Sequence, residues 1–151
     1  MAANFLTLID IITYRAKTTP EQPAVIFSNQ ILTYRDLYEG VACFASNLIQ
    51  LQLLPQERVL IALPNGSDFF IAFYGIIQAG GIPVPLFPDS GYQRLLTLAS
   101  QCQSRWVITA QSLDKHKCPN LISFSISKKI EWRTVAEILS LKRVNVKNLF
   151  N

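Results

Sequence analysis

The sequence predicts an α/β fold: a mainly parallel sheet with flanking helices, preceded by an N-terminal β-hairpin. Three observations carry that expectation. Between residues 58 and 126, short apolar runs alternate with helix-period segments, the pattern of strand–helix–strand crossovers. Val59-Leu60-Ile61-Ala62-Leu63 is apolar without a break, as a strand covered on both faces requires. Upstream, Ala24-Val25-Ile26-Phe27 and Ile31-Leu32-Thr33 flank Ser28-Asn29-Gln30, the spacing of a hairpin with a short turn.

The elements follow in order. Phe5, Leu8, Ile9 and Ile12 recur at helical spacing over residues 5–17, with Arg15 and Lys17 suited to the negative end of a helix. Thr18-Thr19-Pro20 ends it. After the hairpin, Thr33-Tyr34-Arg35-Asp36 has the form of a capping box, and Leu37, Val41, Ala45, Leu48 and Ile49 make an apolar stripe to about Leu51. The strand at 59–63 leads through a Pro64-Asn65-Gly66 turn to a helix over 69–79, with Ser67-Asp68 as its cap. Gly80-Gly81 stops that helix, because glycine accepts the left-handed conformation found there. A strand follows at 82–86. Ser90 and Gln93 open a third helix carrying Leu95, Leu96, Ala99 and Cys102. Trp106-Val107-Ile108-Thr109 is a strand, residues 121–126 another, and residues 131–141 a further helix. Residues 142–151 hold no sustained period and are expected to be a basic, loosely held tail after a subdomain spanning 1–141.

Composition bounds the function. The 151 residues fit one domain, half of them apolar and 16% charged, too hydrophobic for disorder. The net charge of +4 is local: residues 1–127 carry eight basic and eight acidic side chains, and residues 128–151 carry six against two. That excess lacks the interleaved aromatics of a nucleic-acid surface, so no nucleic-acid partner is expected. Cys43, Cys102 and Cys118 are scattered and odd in number, which makes neither a disulfide framework nor a metal knuckle and suits a reducing, cytoplasmic compartment. His116 and Cys118 give two ligands where a structural zinc needs four. His116, the single histidine, stands between Lys115 and Lys117 with nothing to orient it as a base. Residues 69–88 are uncharged for the length of a membrane span, but Gly80-Gly81, Pro83, Pro85 and Pro88 would break the second half of such a helix. No membrane span is expected.

The glycine-containing turns read as structural. Phosphate loops place glycines between a strand and the following helix, whereas Gly80-Gly81 lies between a helix and the following strand. The Pro64–Ser67 turn has the right polarity but no lysine, and Asp68 would repel a phosphate. Catalytic residues: none. Cofactor-binding and metal-ligating residues: none.

Four ordered stretches resemble the start of the acyl-adenylate-forming (AMP-dependent synthetase/ligase) superfamily, which includes acyl-CoA synthetases, fatty acyl-AMP ligases and adenylation domains. Residues 15–27 resemble its opening helix and first strand. Leu32-Thr33-Tyr34-Arg35-Asp36-Leu37 is similar to its first core motif, with Asp36 in place of a glutamate. Residues 58–66 resemble its strand-and-turn segment, and residues 73–88, from Phe73-Tyr74-Gly75 to Leu86-Phe87-Pro88, its second core motif. Phe69-Phe70-Ile71-Ala72-Phe73-Tyr74-Gly75 and the proline-rich end look most like fatty acyl-AMP ligases. The resemblance covers roughly residues 5–140. It implies a complete enzyme that joins a fatty or other carboxylic acid to ATP, with Mg²⁺, and passes the acyl group to a phosphopantetheine carrier. The superfamily's Ser/Thr/Gly-rich ATP loop ending in Pro-Lys, and its later motifs, do not occur in these residues. An N-terminal fragment, inactive alone, is therefore expected. The alternatives are a fragment of an acyl-CoA synthetase and a non-catalytic interaction module that self-associates through an unfinished sheet edge.

Overall fold

The computed structural model describes residues 7–28, 30–110 and 131–140. Helix α1 (Leu8–Thr18) starts later than its apolar spacing suggests, because Thr7 caps it. The Thr7 hydroxyl accepts from the Asp10 amide at 3.2 Å, and the Asp10 carboxylate accepts from the Thr7 amide at 2.8 Å. Strands β1 (Pro23–Phe27) and β2 (Gln30–Thr33) pair antiparallel, with Ile26 opposite Ile31 and Phe27 opposite Gln30. The capping box at Thr33 and Asp36 forms as the sequence predicts and opens α2 (Tyr34–Gln50). The Thr33 hydroxyl also donates to the Asp36 carboxylate at 2.6 Å. That bond, joined by one from the Thr33 amide, holds the Asp36 carboxyl below its ordinary pKa.

The main sheet is parallel throughout, in the order β4 (Ile82–Pro85), β3 (Arg58–Ala62), β5 (Trp106–Thr109), β6 (Glu131–Thr134). Its central strand is buried on both faces: Val59, Leu60 and Ile61 have no exposed surface. Val59 and Ile61 face the larger core with Trp106, Ile108 and the apolar side chains of α2 and of α3 (Ser67–Gln78). Leu60 and Val107 face the opposite way, onto Ala99 of α4 (Tyr92–Gln101). That alternation is why the run at 59–63 is unbroken in the sequence. Helices α2 and α3 come close enough that a Cβ on Gly75 would lie 2.6 Å from Phe44 Cδ1. Only a glycine admits the buried Phe44 ring there.

Helix α3 ends in a Schellman motif. Gly80 is left-handed (φ 85°), its amide donates to the Ile77 carbonyl at 3.0 Å, and the Gly81 amide donates to Ile76 at 2.9 Å. The same motif ends α2 and α4, with glutamine in the left-handed place: Gln52 (φ 65°) and Gln103 (φ 54°). The amides of Leu53 and Ser104 then reach back to Leu48 at 2.9 Å and Ala99 at 2.8 Å.

Four expectations change. The cap of α3 is Gly66, with no side-chain hydrogen bond, rather than Ser67-Asp68. Helix α4 starts after Gly91, also without a side-chain cap, so Ser90 does not open it. Residues 131–134 form strand β6, because they pair with β5, and only Val135–Ser140 are helical (α5). Asn47, fully buried on α2, donates to the Ile138 carbonyl at 2.6 Å and holds α5 against α2. The helix at 5–17 is the fourth, shifted to begin at Leu8. The predicted strand at 121–126 and the tail at 142–151 lie outside the described residues.

Candidate functional site

Ligands of open parallel sheets bind beyond the carboxyl ends of the strands. At that end of β3 an open cleft of about 400 Å³ lies between the hairpin turn (Phe27, Ser28, Gln30) and the turn from Pro64 to Asp68. Its polar groups are the hydroxyls of Ser28 and Ser67, the amides of Gln30 and Asn65, and the Asp68 carboxylate. No cation lines it. The amino end of α3 points here without a side-chain cap, and Asp68 in its first turn already supplies the negative charge a helix start favours. A triphosphate would meet one carboxylate and no lysine or arginine. As the described residues line it, the cleft does not fit ATP or its magnesium.

The sequence marks the Pro64–Ser67 turn but not its neighbours Ser28 and Gln30, since their approach is a tertiary contact with no local pattern. Among the described residues no group of three His, Cys, Asp or Glu side chains could hold a metal ion. His116 and Cys118 lie outside them; Cys43 and Cys102 are half-buried free thiols. No described helix is long and apolar enough to cross a membrane.

The densest polar cluster sits at the opposite end of β3. Arg105 Nε donates to Glu57 Oε1 at 2.6 Å and its Nη2 to Oε2 at 3.0 Å, a two-pronged pair. Glu57 Oε2 also accepts from Trp106 Nε1 at 3.2 Å and from the Leu54 amide at 2.8 Å. Arg105 further donates to the Gln52 carbonyl and lies over the Trp106 ring, 4.8 Å from its centroid. Burial pushes the Glu57 carboxyl up, but the bonds from Arg105, Leu54 and Trp106 outweigh it and hold the group below its ordinary pKa. Every strong acceptor of Glu57 is used by the scaffold. This cluster ties the segment before β3 to β5 and leaves no free base.

The architecture defines the class first. It superposes on the Klebsiella oxytoca NpsA N-terminal subdomain, solved with 3-hydroxybenzoyl-AMSN, with a TM-score of 0.71 at 18% identity, covering 91% of this chain and 33% of that one. It also matches the O-succinylbenzoate coenzyme A synthetase MenE of Bacillus subtilis (TM-score 0.71, 20% identity, 88% and 33% covered). The artificially fused adenylation–PCP di-domain NpsA-ThdA from K. oxytoca matches too (0.72, 19%, 91% and 25%). The fold is that of the N-terminal subdomain of adenylate-forming enzymes. The AMP-binding enzyme family model matches residues 12–147, and the chain belongs to that family. Among curated relatives, tyrocidine synthase 2 of Brevibacillus parabrevis is 32% identical over 115 residues, 76% of this chain. Bacitracin synthase 3 of Bacillus licheniformis is 30% identical over 111 residues, 74% of this chain. The chain spans only 3% and 2% of those two proteins.

Proposed function

We propose that this chain is the N-terminal, sheet-forming part of an enzyme that activates a carboxylic acid as its acyl-adenylate. The observation that carries it is the family match over residues 12–147, which includes both core-motif stretches. In the complete enzyme the carboxylate oxygen attacks the α-phosphorus of ATP. An acyl–phosphate bond forms and the bond from the α-phosphorus to pyrophosphate breaks. A phosphopantetheine thiol then attacks the acyl carbon, and AMP leaves. The likeness to the fused adenylation–PCP di-domain supports a carrier partner. A fatty acid is our choice of acid, supported by the aromatic stretch Phe69–Gly75, although the curated relatives include peptide synthases. The scattered thiols support a cytoplasmic location.

The described residues contribute scaffold, so the isolated chain is expected to be inactive: transition-state stabilisation cannot come from framework alone. Pyrophosphate exchange with fatty, aromatic and amino acids should stay at background. Calorimetry with Mg-ATP should show nothing tighter than roughly millimolar, about 4 kcal/mol. Joined to the remaining part of a related adenylating enzyme, the same residues should support exchange. Silence from a folded fusion would sink the proposal, and exchange by the isolated chain would sink its inactivity.

A second reading, a non-catalytic interaction module, is favoured by the opposed Ile26 and Ile31, which are 70% and 65% exposed on one face of the hairpin. Solution mass separates the two: a monomer at all concentrations counts against the module.

A further inference from the structure

In a parallel strand, the N–H and C=O of one residue face one neighbouring strand, and those of the next residue face the other side. The Ile82 amide donates to the Glu57 carbonyl at 2.8 Å, and the Leu86 amide to Ile61 at 2.8 Å. With Val84 opposite Leu60 in the same register, residues 82, 84 and 86 turn their backbone toward β3. Residues 83 and 85 therefore turn theirs outward, where no described strand pairs with β4. Both are proline. Two carbonyls face outward and no N–H does. A strand laid along this edge could donate to β4, but its own carbonyls would find no partner.

An unpaired carbonyl in a forming sheet forfeits its hydrogen bond to water without replacement. Prolines also suit this position only because an edge leaves the outward amide unused. We propose that Pro83 and Pro85 close the β4 edge of the sheet to strand addition, by a second copy of this chain or by any extended segment. The self-association expected of an unfinished sheet edge is thus opposed at β4 by the backbone itself, independently of what the complete enzyme does.

The test is the double substitution Pro83→Val, Pro85→Val in the full chain. It restores both outward donors without touching the bonds to β3. Each new amide reports on its own pairing by hydrogen exchange. We expect the variant to gain concentration-dependent mass by light scattering at roughly 100 μM, within the range where open strand edges associate. Protection of the 83 and 85 amides should rise in step, by at least ~10-fold. A folded variant whose two new amides exchange at the open-strand rate at every concentration would overturn the proposal. If circular dichroism shows the double variant unfolded, Pro85→Val alone is read by the same two measures at its one new amide.

Discussion

The two ends of strand β3 are built on opposite plans. At its amino end Glu57, Arg105, Trp106 and Ser104 saturate one another: the Ser104 hydroxyl bonds to the carbonyls of Arg58 at 2.6 Å and Trp106 at 2.9 Å, and accepts from the Trp106 amide at 3.1 Å. At its carboxyl end the Pro64–Asp68 turn is exposed or half-buried, and the helix it opens has no side-chain cap. Polar chemistry is committed to structure at one end and left available at the other. Stabilising polar contacts are thereby concentrated at one end of a single strand, so changes at the first end should destabilise the protein and changes at the second should barely be felt.

The largest expected effect tests the closed end directly. Arg105→Ala strands a Glu57 carboxylate whose side chain is only 17% exposed and removes the contact with Trp106. It should cost about 3 kcal/mol in urea unfolding, as expected for half of a mostly buried ion pair. A loss under about 1 kcal/mol would mean that the pair is solvated and the two ends are alike.

A second effect is set by pH. The folded-state pKa of Glu57 is lowered, so its contribution is present above the unfolded value of 4.5 and disappears as pH falls through the folded pKa. Glu57→Gln should therefore lose about 2 kcal/mol at pH 7 and progressively less on acidification. The two stability curves should begin to approach one another as pH falls through about 4.5, the unfolded carboxyl value, and meet only below the lowered folded-state pKa. Parallel curves down to that pH would remove the charge from the explanation. Asp36, also lowered, leaves a residual acid slope in both proteins.

Legibility in the sequence follows the range of the interactions. The capping box at Thr33 and Asp36, the buried run at 59–63 and Gly80 are local signals and lie where expected. Glu57 and Arg105 stand 48 residues apart and meet only because β3 and β5 pair with Val59 beside Trp106. Strand β6 is polar in sequence and is a strand by pairing alone. At the open end the turn is legible from its strand-to-helix polarity, while Ser28 and Gln30 reach it through the fold. Glutamine at a left-handed helix end carries no signal, since that position usually calls for glycine.

That last mismatch yields a smaller, stabilising prediction. Gln52 and Gln103 hold left-handed backbone at the ends of α2 and α4, on the way into β3 and β5. Gln103→Gly should stabilise the protein by about 0.5 kcal/mol, as relief of the left-handed strain outweighs the extra freedom of glycine when unfolded. Gln52→Gly should add a similar amount, and the two should sum because they end different helices. A destabilised Gln103→Gly would show that the glutamine side chain makes a contact worth more than the strain.

The smallest effect belongs to the open end. Asp68 is exposed in the first turn of α3, where its charge opposes the positive end of the helix, and no side chain caps that end. Asp68→Asn removes the charge and keeps the size. It should cost about 0.3 kcal/mol at low salt, the lower range for an exposed charge at a helix start. Because that interaction is fully screenable, the difference should vanish in about 0.5 M salt, where the Debye length falls to a few ångströms. Arg105→Ala should keep most of its cost under the same conditions, since burial excludes the screening ions. A salt-resistant loss above about 1 kcal/mol for Asp68→Asn, larger than surface substitutions usually give, would make the turn an anchor like the other end. The division of labour along β3 would then fail.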